Sequence, residues 1–178
     1  MKRFTESGRM AIKDGNLYCA LTLALMIPDI CGSMEHPGPG KSQKRYEAWF
    51  EKWAEPQFTR LIGPNSARSV FISAKDCFQL RCSLIHSGSA RLDPKKPANV
   101  DHFLFFDQTS TSHLNSIIVG TDKFIQLRAD LFCEELFKAA EKWDEAVAND
   151  DKIQKEKMNL LTIHSRGFVY GGNKIKFG

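Results

Sequence analysis

The residues best suited to chemistry are an arginine and a histidine in Arg81-Cys82-Ser83-Leu84-Ile85-His86. A guanidinium stays protonated and grips oxyanions, whereas an imidazole takes or gives a proton near neutrality. Together they are a phosphate ligand and a proton carrier, enough for phosphodiester chemistry on a substrate that brings its own nucleophile. Wound at the 3.6-residue helical period, Gln79, Ser83 and His86 share a polar face, while Cys77, Leu80, Leu84 and Ile85 form the apolar one. Arg81 lies in the middle of that apolar face, where a charge must be paired or must look into a cleft. A purely structural reading pairs Arg81 with Asp29 or Glu35 and sets His86 against the helix C-terminal dipole. Arg81 and His86 differ by about 7.5 Å in rise and about 140° in direction on an ideal helix. One copy therefore does not aim both side chains at one phosphate, and a second copy relieves the mismatch.

Other candidate chemistries are weaker. Pro37-Gly38-Pro39-Gly40-Lys41-Ser42 resembles the end of a phosphate-binding loop, but that pattern needs a glycine where this chain has Glu35. A carboxylate in a phosphate cradle has the wrong sign, and a helix-connecting loop is the better account. Tyr46, Trp49, Phe50 and Trp53, interleaved with Lys44, Arg45 and Lys52, could form a base-stacking platform. Their i, i+3, i+4, i+7 spacing assigns the rings to a core and the basic residues to the solvated side. The histidines His36, His86, His102, His113 and His164 are scattered, and Cys82 with His86 makes only two ligands, so no metal or cofactor is expected.

The elements that must position Arg81 and His86 follow from the flanking sequence. Ser73-Ala74-Lys75-Asp76 is a capping-box start, and Gly88 is the stop of the helix that ends near His86. Residues 17–32 are apolar nearly all round, which predicts a core helix that Pro28 kinks or ends. Its fully apolar part, Leu17–Ile27, is about 11 residues, roughly half of what a bilayer requires. An amphipathic helix is expected over Lys41–Ala54. Residues 123–148 read as the longest helix, with Phe132, Leu136, Ala139, Ala140, Trp143 and Val147 as its stripe. Val100–Phe106 and Ser116–Val119 read as the two strands of a β-hairpin inserted between helices. The tail around Gly171-Gly172 reads as a small hairpin.

Composition sets the outer bounds. The chain has 178 residues, 42% hydrophobic and 26% charged, an ordinary globular balance that excludes wholesale disorder. With 25 Lys+Arg against 21 Asp+Glu the net charge is +4. Residues 123–157 hold 7 basic and 9 acidic side chains, so the remainder carries 18 against 12, or +6, a lean towards anionic partners. The five cysteines contain no C-x-x-C pair and most sit in apolar, helix-like runs, which fits a reducing cytoplasm better than secretion. The N-terminal stretch starts basic but stays polar, unlike a signal peptide.

Arg81-Cys82-Ser83-Leu84-Ile85-His86 fits the R-x4–6-H signature of the HEPN superfamily (higher eukaryote and prokaryote nucleotide-binding domains), in which the motif lies near the end of a helix in an all-α bundle. The apolar segment 18–35 resembles that family's preceding core helix, with Asp29 as the candidate for the polar residue the family often carries upstream. The resemblance spans about residues 15–148. Ser87-Gly88 stands where one toxin subgroup has a tyrosine, and the inserted strands are an elaboration. The resemblance implies a single, mainly α, HEPN-like helical bundle over residues 1–178, with 89–122 as loop and β-hairpin insertion and 149–178 as tail. It further implies a homodimeric, metal-independent endoribonuclease of toxin, defence or RNA-processing type. Arg81, His86 and Asp29 would be its site residues and RNA its substrate, with no cofactor and no membrane. The alternative is a non-catalytic binding or dimerisation module on the same fold.

Overall fold

The computed structural model describes residues 1–92, 99–165, 167–170 and 172–176. Three helices come first: α1 (Lys2–Lys13), α2 (Leu17–Glu35) and α3 (Ser42–Trp53). A 3-10 turn, Glu55–Phe58, leads to an antiparallel hairpin of β1 (Thr59–Ile62) and β2 (Ala67–Val70). Then follow α4 (Ala74–Ser87), β3 (His102–Phe106), β4 (Asn115–Val119), β5 (Asp122–Arg128), α5 (Ala129–Ala146) and α6 (Asp151–Lys157). The hairpin of β6 (Gly167–Tyr170) and β7 (Asn173–Lys176) comes last. Helix is the majority, 52% against 19% strand.

The core is built around α2, which packs against α1, α3, α4 and α5. Its Ala20, Ala24, Leu25, Ile27 and Cys31 are fully buried, as the near-continuous apolar run requires. Pro28 does not end the helix, which runs on to Glu35. By length and composition α2 could also cross a membrane, but half of that apolar window is buried among the other helices. From α3, Tyr46, Trp49 and Phe50 are fully buried, so the helically spaced aromatics are core. The ring of Phe50 stacks on Phe58 at 5.7 Å, and Phe58 meets Phe132 of α5 at 5.5 Å. The α5 stripe is buried as its spacing predicts, with Phe132, Leu136, Ala139, Ala140 and Trp143 fully enclosed.

Three sequence expectations are corrected. The segment read as the start of the longest helix is strand β5, and α5 begins only at Ala129; α2, with 19 residues, is longer than the 18 of α5. Within β5, Ile125 and Leu127 are buried, a period-two pattern that wins over the helical reading. The expected hairpin between residues 100–106 and 116–119 does not form. Those strands are separated by β5 in a sheet of order β3-β5-β4, with β3 parallel and β4 antiparallel to the centre. The third correction is an omission, since no element is expected in the polar N-terminal stretch or between α3 and α4, where α1 and the β1–β2 hairpin form. The expected tail hairpin is present as β6–β7, although Gly171 lies outside the described residues. So do residues 93–98, within the stretch expected as a loop.

Candidate functional site

Helix α4 starts as its sequence dictates. Ser73 Oγ accepts from the Asp76 amide at 3.3 Å, and Asp76 Oδ2 accepts from the Ser73 amide at 3.0 Å. Asp76 is fully buried and has a second task that the capping signal did not reveal. Its Oδ1 accepts from the Asn99 amide at 2.7 Å and so ties the far end of the loop to the helix start. At the other end Gly88 adopts φ 60°, and the amides of Gly88 and Ser89 donate to Leu84 and Ser83 carbonyls at 2.9 and 3.3 Å. The helix is thereby stopped just after His86, whose side chain is exposed. Ser83 Oγ donates to the Arg91 carbonyl at 2.7 Å, which fixes the exit of the chain.

Arg81 finds one of its two expected partners. Its Nε donates to Asp29 Oδ2 of α2 at 2.7 Å. Glu35, the other candidate, accepts instead from Trp143 Nε1 of α5 at 2.8 Å, which also explains an acid at the mouth of the Pro-Gly loop. The Arg81–Asp29 contact uses a single nitrogen, not the two-point fork of a bidentate pair. Its side chains are 25% and 21% exposed, so the pair is a part-covered surface feature and not a dry strut. Burial is the main influence on Asp29 and pushes its carboxyl above the usual range, against Arg81 and, more weakly, Arg45. For Arg81, burial is the largest influence and opposes the charge, but the Asp29 carboxylate and the Cys82 side chain together outweigh it and raise the pKa. Under the pair lies Tyr46, whose hydroxyl sits 3.3 Å from Cys77 Sγ in the core.

The surroundings of the pair are apolar yet open. Along α2, Tyr18, Thr22, Met26 and Asp29 follow one stripe, with Tyr18 80% and Met26 38% exposed. Along α4 the corresponding stripe carries Phe78, Arg81, Cys82 and Ile85, the last 38% exposed. Of the three predicted site residues, the fold thus unites Asp29 with Arg81. His86 stands apart, with no hydrogen bond or ion pair to either among the described residues.

Sequence reasoning missed one neighbour, Arg45. Helix α3 crosses α2 at Gly32, one turn beyond Asp29, where an added Cβ would lie 2.7 Å from the Arg45 carbonyl oxygen. The bare backbone of Gly32 therefore lets α3 bring Arg45 beside the Asp29 turn. Its Nη1 donates to the carbonyls of His36 and Gly38 at 3.1 and 2.6 Å. A lone glycine among bulky residues of an apolar helix, at i+3 from its central acid, was the available signal.

Among the described residues no cluster of His, Cys, Asp and Glu could hold a metal ion. His102 pairs with Asp122 at 3.2 Å, and His113 accepts from the Arg128 amide at 3.2 Å, so these histidines are engaged separately on the sheet. No family model, curated protein or solved structure matches the chain.

Proposed function

We propose that this chain is a HEPN-like, metal-independent endoribonuclease that works as a homodimer, with the groove formed where the α2 and α4 stripes of two copies meet. The observation that carries this reading is the open position of the Arg81–Asp29 pair between exposed apolar side chains. A part-exposed ion pair with a single-nitrogen contact adds at most about 1.5 kcal/mol to stability, so folding alone gives little reason for a charge on this apolar face. A face carrying one acid, one base and apolar flanks is also self-complementary under a two-fold axis, which is what an isologous interface needs. In the reaction, the RNA 2′-oxygen attacks the adjacent phosphorus as its proton leaves, and the P–O5′ bond breaks as the leaving oxygen gains a proton. His86 carries the proton, Arg81 holds the phosphate oxygens, and Asp29 orients Arg81.

A second reading, a non-catalytic binding or dimerisation module, draws on the neutralisation of Arg81 by Asp29 and on the separation of His86 from both. One experiment separates the two: mixed RNA incubated in EDTA with wild type and with His86→Ala. The ribonuclease reading expects cleavage by wild type in EDTA and none by the variant, with folding and association unchanged. Equal cleavage by both proteins overturns the role of His86, and cleavage abolished by EDTA overturns the metal-free mechanism. Light scattering that finds a strict monomer at tens of micromolar removes the composite groove.

A further inference from the structure

We infer that Arg45 is a second phosphate-holding residue of this surface, so that the RNA backbone runs from Arg81 over the α2–α3 crossing to Arg45. The inference rests on the ribonuclease reading and adds a residue and a direction to it. Helices α3 and α4 converge on the same turn of α2. Arg81 reaches Asp29 at 2.7 Å, and Arg45 is held at Gly32, one turn further along the same face. Asp29 pairs with Arg81, whereas the Arg45 guanidinium is held by the two carbonyls and has no carboxylate partner among the described residues.

The other acids nearby are held elsewhere and form no ion pair with Arg45. Glu35 is committed to Trp143, and Glu47 accepts from Gln43 on its own helix at 2.8 Å. Lys41, the N-cap residue of α3 and one turn before Arg45, is exposed and adds to the positive side. The two backbone carbonyls held by Arg45 fix its guanidinium in place, so little side-chain freedom is lost when an anion arrives. Arg81 is tethered more simply, by its single Nε bond to Asp29. Successive phosphates of a single strand are the anions that two fixed guanidiniums in a row would take.

The test measures binding separately from cleavage. A fluorescein-labelled, 2′-O-methyl single-stranded RNA has no free nucleophile and stays intact, so its anisotropy reports binding to the full-length protein across a salt series. Each phosphate contact on a single strand contributes about 0.7 to the slope of log K against log salt. Arg45→Gln and Arg81→Gln should each flatten the slope by about 0.7, whereas Arg45→Lys should keep the wild-type slope. Thermal melts confirm that each variant is folded. If Arg81→Gln flattens the slope and Arg45→Gln does not, the inference is wrong and the ribonuclease reading survives. Should Arg45→Lys lose as much slope as Arg45→Gln, Arg45 is only a loop clamp and the inference is again wrong. A wild type that does not bind this RNA overturns both.

Discussion

Replacing Arg81 with methionine keeps most of the side-chain stem and removes the charge, which isolates the ion pair. At about 4 Å between charge centres and an effective dielectric of about 20, the gross attraction to Asp29 is about 4 kcal/mol. Desolvation of both partners takes back much of this, and a hydrogen bond to a charged group is worth about 1.5–3 kcal/mol net. With a single-nitrogen contact and about a quarter of the Arg81 side chain in solvent, the lower end applies, about 1.5 kcal/mol near pH 7. The loss should depend on pH. Burial already lifts the folded-state Asp29 carboxyl above its unfolded value, and loss of Arg81 lifts it further. A raised carboxyl opposes folding once it is forced to ionise, and that penalty vanishes below the unfolded value of about 3.9. The deficit of the variant should therefore be full near pH 7 and shrink to about 0.5 kcal/mol by about pH 3.5. Urea unfolding followed by circular dichroism at both pH values, at one protein concentration, measures it, and near neutrality Tm should fall by about 3–6 °C. Equal deficits at the two pH values would refute the reasoning, because the lost stability would then reside in packing of the stem and not in the ionised pair.

Two further outcomes follow from the same helices. Gly32→Ala should destabilise the protein by about 1–3 kcal/mol, read as a lower urea midpoint, because the added Cβ meets the Arg45 carbonyl oxygen at 2.7 Å on backbone that cannot swing away. A thiol reagent such as Ellman's should label exposed Cys19 first, and leave Cys31, Cys77 and Cys133 silent until the protein unfolds. Burial pushes the Cys77 thiol up to about 12 and raises Cys31 and Cys133 as well.

What was legible in the sequence was what local chemistry fixes. The cap at Ser73, the stop at Gly88 and the aromatic stripe of α3 each follow from neighbours within a turn or two of helix, and each is found. Residues 122–128 were not legible, because two periods fit them. Phe124, Leu127 and Leu131 would share one face of a helix, while Ile125 and Leu127 alternate as strand positions. Only the parallel partner β3, brought back from residues 102–106, decides between them, and its register with β5 is a long-range fact. The β1–β2 hairpin gave no signal for a different reason. Leu61 and Ile62 are both exposed, so the hairpin carries no alternation of buried and solvated residues to read.

The site shows the same divide. That Arg81 needs a carboxylate follows from its place on an apolar face; which carboxylate does not. Asp29 and Glu35 are six residues apart on α2, so on an ideal helix they point about 120° from each other. The sequence cannot say which of those directions α4 will occupy. The packing of α5 resolves it, since the buried Trp143 must satisfy its indole N–H and takes Glu35, leaving Asp29 on the α4 side. The same packing explains why Arg45 read as an ordinary solvated residue. Its role depends on Gly32, and a missing side chain has no meaning until a neighbouring backbone is known to fill the space. Residues that act through contact with their own helix can therefore be read from one sequence. Those that act where two helices meet, as Arg45 does at the close approach of its backbone to Gly32, become readable only when the crossing of α2 and α3 is in view.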